Sequence, residues 1–108
     1  MEVHRTLGFG FLEVIYKDAM ALEFTERQIN FLREDEHSVN YKGKILKHKF
    51  FADFTVSNNI IVEVKANGDG ISVDAVAQTL NYLKAAGFRL GLLINFGKSS
   101  LQYKRLIF

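Results

Sequence analysis

Apolar and polar positions change period several times along the chain, and each change marks an element. From Phe11 to about Gln28, Leu12, Ile15, Ala19 and Leu22 recur at helical spacing among good helix formers, so the pattern predicts a helix behind the Gly8-Phe9-Gly10 break. Met1 to Leu7 reads as the end of a preceding helix. Phe31 to Tyr41 is polar and roughly alternating, Tyr41-Lys42-Gly43-Lys44 reads as a turn, and Ile45 to Val56 is a second extended run. Ser57-Asn58-Asn59 turns the chain into Ile60 to Ala66, which is rich in β-branched residues and ends at Asn67-Gly68-Asp69-Gly70. Ser72 then suits a helix N-cap with Asp74 in the first turn. Val73, Val76, Ala77, Leu80 and Leu83 form the apolar stripe of that helix, and Gly87 its stop. Arg89 to Phe96 and Tyr103 to Phe108 are the last two strands.

The order helix, three strands, helix, two strands predicts an α/β (α+β mixed) fold, a mixed central sheet flanked by helices. The Ala66-to-Arg89 connection contains a helix and suits a right-handed parallel crossover. At 108 residues the chain makes one domain, 1–108. Ten Phe and four Tyr supply its core. The absence of Cys excludes disulfides and thiolate metal sites, so any metal must sit on oxygen or imidazole ligands. No apolar run reaches the length of a membrane span and no signal peptide is evident, so a soluble, cytoplasmic protein is the expectation. The net charge of +2 announces no polyanion by itself, but Lys42, Lys44, Lys47, His48 and Lys49 crowd into eight residues. That ridge suits either a phosphate backbone or a solvated hairpin edge.

Candidate chemistry starts in Ile60-Ile-Val-Glu-Val-Lys-Ala66, a core-like strand carrying two charges. Alternation puts Ile61, Glu63 and Lys65 on one face, with Glu63 and Lys65 roughly 7 Å apart. Ile60, Val62, Val64 and Ala66 take the other. On the preceding strand Phe51, Asp53 and Thr55 share a face opposite Ala52, Phe54 and Val56. A three-residue loop, Ser57 to Asn59 with Asn59 left-handed, pairs Val56 with Ile60 and sets Asp53 opposite Glu63. A two-residue Asn58-Asn59 loop would put the acids on opposite faces instead. Facing carboxylates destabilise a sheet unless something compensates them, and a shared Mg²⁺ or Mn²⁺ suits oxygen ligands. Lys65 either neutralises the pair or stabilises developing negative charge. On the first helix Gly10, Glu13 and Tyr16 lie near one face, and on the second Gln78 and Tyr82 stack four apart.

Together these residues resemble a known pattern. Asp53 followed by Glu63-Val64-Lys65 is similar to the signature of the PD-(D/E)XK nuclease superfamily, and Gln78-Thr-Leu-Asn-Tyr82 resembles its exonuclease-like branches. Gly10-Phe-Leu-Glu13-Val-Ile-Tyr16 resembles the motif of the GxxExxY family within it, as do Val3-His4-Arg5 and Gly91-Leu-Leu-Ile-Asn95-Phe-Gly97. The chain departs from that pattern at Phe9, where a Pro is usual, and at Phe51, often basic.

The resemblance implies a restriction-endonuclease-like core in which Asp53 and Glu63 hold Mg²⁺ or Mn²⁺, with Glu13 a further direct or water-mediated ligand. It implies that Lys65 positions or activates water, that Gln78 orients substrate or water, and that Tyr82, Tyr16 and Gly10 support them. The implied activity is hydrolysis of phosphodiester bonds, in DNA first. A nuclease fold kept for nucleic-acid or protein binding is the alternative, and a homodimer or partner protein is expected to complete recognition.

Overall fold

The computed structural model describes all residues, Met1–Phe108. Two helices, α1 (Glu2–Leu7) and α2 (Glu13–Glu26), precede β1 (Phe31–His37), β2 (Asn40–Tyr41), β3 (Lys44–Ile45), β4 (Phe50–Val56) and β5 (Ile60–Lys65). Helix α3 (Val73–Ala86) leads to β6 (Leu90–Asn95) and β7 (Gln102–Ile107). The main sheet has the order β1-β4-β5-β6-β7, with β5 and β6 parallel and every other neighbouring pair antiparallel. The expected mixed sheet and its parallel crossover through a helix are both present. The long run Ile45 to Val56 is not one strand: β2 and β3 form their own small hairpin outside the main sheet, and residues 40–49 are all exposed.

Each face of the sheet carries one layer of helix. Val62 and Val64 of β5 pack with Phe54, Val56, Ile94 and Phe96 under Tyr16 and Met20 of α2. Ile61 points the other way, toward Leu83 of α3, so β5 is buried on both faces as parallel central strands are. Alternation along Ile60–Ala66 is as the sequence implies. In β4 it slips: Ala52 joins Ile61 and Leu83 while Phe54, two residues on, belongs to the α2 side. Strict alternation would place the two together, so Asp53 sits at a change of phase.

Helix α2 sits rotated from its expected stripe, whereas α3 keeps Leu80 and Leu83 of its stripe in the core and departs from it in part. In α2 the buried positions are Tyr16 and Met20, with Ala19 and Phe24 beside them, whereas Leu12 is 74% exposed and Leu22 61%. Tyr16 wins the core because its hydroxyl donates to the Gly8 carbonyl at 2.6 Å and accepts from the Phe11 N–H at 3.3 Å. Its ring stacks on Phe96 at 4.5 Å. In α3 Val73 is 84% exposed and Ala77 is exposed, while Thr79, absent from the expected stripe, is buried. Thr79 is satisfied there by donating to the Ala75 carbonyl at 2.8 Å. The Ser72 cap forms as expected, its Oγ accepting from the Ala75 N–H, and Gly87 ends the helix left-handed at φ 74°.

Asn95 fixes the loop that leaves β5. Fully buried, it accepts from the Asn67 N–H at 2.8 Å and the Gly97 N–H at 3.2 Å, and donates to the Asn67 carbonyl at 2.9 Å. A Cβ on Gly97 would fall 2.4 Å from the Asn67 backbone, which Asn95 prevents from moving away. Gly97→Ala is therefore expected to cost about 1–3 kcal/mol in thermal or urea unfolding. Gly68→Ala, where added volume meets nothing within 4 Å, is the control and should be near neutral.

Candidate functional site

The site forms where the β4–β5 hairpin opens. Pairing runs Val56 with Ile60, Thr55 with Ile61 and Phe54 with Val62. That is the register of the three-residue loop, although the left-handed residues are Ser57 and Asn58 and not Asn59. On the next rung Asp53 meets Glu63, and side chains replace the backbone ladder. The Asp53 N–H donates to Glu63 Oε2 at 2.7 Å, and the Val64 N–H donates to Asp53 Oδ2 at 2.8 Å. Two carboxylates thus occupy the gap between splayed strands, each held by the other strand's backbone.

Burial makes this pair costly. Glu63 is only 4% exposed. Burial, then the adjacent Asp53 charge, pushes its carboxyl up to about 7, against smaller opposing effects of the Asp53 N–H, Lys65 and Lys17. Tyr82 is raised too, by burial first and then by Glu63 and Asp53, which sets its hydroxyl in their field. The Tyr82 ring stacks on Phe50 at 4.2 Å, and Phe50 on His37 at 5.1 Å, a column of rings running from α3 to β1.

Lys65, half-buried at the end of β5, opens into a cleft of about 280 Å³ that it lines with Asn67, Gly70, Ser72, Asp74 and Gln78. Lys65 and the exposed Gln78 thus face one space, beside the N-terminus of α3. Tyr16 and Gly10 serve the scaffold: Tyr16 ties the glycine loop to the core, and Gly10 at φ 110° takes a backbone conformation open to glycine. Glu13 is not brought to the pair. It is exposed at the first residue of α2, without a hydrogen bond or ion pair to Asp53 or Glu63, and no three acidic or imidazole side chains form a ready cage.

The α2 side chain that reaches the pair is Lys17, one turn after Glu13. Its Nζ donates to Asp53 Oδ1 at 3.0 Å and also to Glu34 of β1. Burial disfavours the ammonium, but its hydrogen bonds to Glu34 and Asp53 outweigh this and hold it above the usual lysine range. Nothing in the pattern of apolar residues singles out Lys17. The available signal was its helical spacing from Glu13.

The arrangement defines a mixed-sheet domain with an acid pair at a hairpin fork, Glu63 buried and Asp53 half-buried, and a lysine one pleat away. The chain belongs to the PD-(D/E)XK nuclease superfamily, whose family model matches residues 1–106. The fold agrees with the restriction-endonuclease-like core of that superfamily. The chain is similar to the crystal structure of SSO0001, with 21% identity and a TM-score of 0.63 over 87% of this chain and 52% of that one. It thus spans about half the length of that neighbour, and the likeness is one of fold. No curated protein matches it.

Glu63 also makes stability depend on pH. Unfolded, its carboxyl titrates near 4.5; folded, near 7. Between those values the folded state keeps a proton that the unfolded state has lost, so Glu63 lowers stability as pH rises from 4.5 to about 7. The full effect is on the order of 3 kcal/mol. Urea denaturation without divalent cations should show Glu63→Gln gaining on the wild type between pH 5 and 8; equal changes in both proteins would refute the assignment.

Proposed function

We propose that the chain is a metal-dependent phosphodiesterase acting on DNA, of the GxxExxY branch of its superfamily. The observation that carries this reading is the Asp53–Glu63 pair, hydrogen-bonded across the fork with Lys65 one pleat beyond. The donor set fits Mg²⁺ or Mn²⁺. Asp53 and Glu63 would hold the ion, because a cation between them offsets the burial and, after it, the Asp53 charge that together raise the Glu63 carboxyl. Glu13 lies a turn from Lys17 and is proposed as a ligand through water. When bound, the metal supplies polarisation of the phosphoryl oxygen and a more acidic water.

The chain's own residues do the rest. Lys65 orients the attacking water and faces the negative charge that develops on the phosphoryl group. Gln78 positions substrate or water in the shared cleft, and Tyr82 backs the pair. Lys42 and Lys44 on the exposed β2–β3 hairpin, with Lys47 and Lys49 on the exposed segment that joins it to β4, present positive charge to phosphates, and β4 begins three residues before Asp53. Phe9, Phe11 and Leu12, all exposed, offer an apolar surface to a second copy or partner that would extend recognition. A binding module with weak catalysis is the second reading. What favours it is the exposed Phe51, where a basic substrate contact is usual in the resembling family.

Incubation with supercoiled, linear duplex and single-stranded DNA in Mg²⁺ or Mn²⁺ separates the two readings. Cleavage by the wild type should fall at least about 100-fold in Asp53→Asn and Lys65→Ala. Cleavage unchanged in both variants refutes the assignment; DNA binding without cleavage selects the binding module. Replacing Lys42, Lys44, Lys47 and Lys49 by Gln should make the salt dependence of DNA affinity shallower, by about 3 to 4 in the log–log slope, as read by fluorescence anisotropy in EDTA.

A further inference from the structure

Glu34 has a backbone φ of 52°, unusual inside a strand. Its neighbours pair in register, Arg33 with Phe54 and Asp35 with Ala52, so Glu34 stands directly across from Asp53. The left-handed twist breaks the alternation of β1 at the rung where β4 also slips. As a result both Arg33 and Glu34 reach α2, pairing with Asp18 and Lys17 respectively. Glu34, Asp53 and Glu63 therefore form one row of acids across β1, β4 and β5. Lys17 lies between the first two, its side chain 13% exposed.

The bonds to Asp53 divide its two oxygens. Oδ2 is taken by the Val64 N–H, and Oδ1 by the Lys17 ammonium at 3.0 Å. In two-cation phosphodiesterase centres the ions lie about 3.5–4 Å apart and share carboxylates. A second ion sharing Asp53 on the side of Glu34 would need the space and the charge that Lys17 already supplies. We propose that the Lys17 ammonium takes the place of a second divalent ion and restricts the centre to one. The proposal rests on the metal-centre reading of Asp53 and Glu63. It makes Lys17 a positioning residue: it fixes the Asp53 carboxylate and neutralises Glu34 without touching substrate. Neutral replacement of Lys17 leaves the carboxylates of Asp53 and the half-exposed Glu34 uncompensated and facing one another across β1 and β4.

Titration of the chain with Mn²⁺, by calorimetry and by electron paramagnetic resonance, tests this. The wild type should bind one Mn²⁺ with the spectrum of an isolated ion. Lys17→Gln, which keeps hydrogen-bonding capacity without charge, should bind two and show the broadening of a coupled pair. Lys17→Met is a second route to the same state should the Gln variant fold poorly by circular dichroism. Lys17→Arg, and Lys17→Gln combined with Glu34→Gln, should each return to one. Two ions in the wild type, or one in a folded Lys17→Gln or Lys17→Met chain, overturns the proposal. Mn²⁺ binding indifferent to Asp53→Asn and Glu63→Gln would overturn the metal-centre reading itself, a distinct result.

Discussion

Everything at the site depends on one exchange between β4 and β5: two backbone N–H groups bond to carboxylates where a sheet would bond them to carbonyls. The Asp53 N–H goes to Glu63 and the Val64 N–H to Asp53. An ordinary ladder would close the strands and force both acids out of the sheet or into a core. Here the strands part, and the acids fill the opening. Their backbone donors satisfy one oxygen of each. What remains is net negative charge in a buried place, visible in the raised Glu63.

The surrounding structure manages that charge from three sides. Lys17 approaches from α2 and binds Asp53 together with Glu34; Lys65 lies one pleat along β5; Tyr82 comes from α3. Each depends on distant packing. Lys17 is aimed by the burial of Tyr16 and Met20, which fixes the rotation of α2. Lys65 is steadied by its carbonyl, which accepts from the Phe96 N–H at 2.8 Å, and by Asn95, which pins the loop beyond it. The aromatic column through Phe50 braces Tyr82. The hydrophobic clusters thus aim the polar groups as well as stabilising the fold.

Much of this was legible in the chain. The mixed sheet and its crossover followed from period and turn signals, and the observed β4–β5 register is one of the two that the Ser57 to Asn59 turn allowed. The charges in Ile60–Ala66 pointed to Glu63 because a β-branched core strand has few reasons to carry an acid. The stripe of α2 was misread for a physical reason. Leu12 and Leu22 are more apolar than Tyr16, but Tyr16 can bury a ring and spend its hydroxyl on Gly8 and Phe11, a tertiary gain that hydropathy does not register. Glu34 and Lys17 were hidden for a related reason. Their meeting requires a left-handed residue inside a strand and a slip of phase in its neighbour, and no local propensity announces either. Glu13, conspicuous by its motif, stays at the exposed start of α2.

The proposed function stands on a single cation shared by Asp53 and Glu63. Anomalous diffraction from crystals grown with Mn²⁺ tests it directly. A single anomalous peak is expected within about 2.0–2.4 Å of an oxygen from each carboxylate, with the β4–β5 fork still open. A peak bound to only one of them, or crystals rich in Mn²⁺ with no peak at the fork, would contradict it.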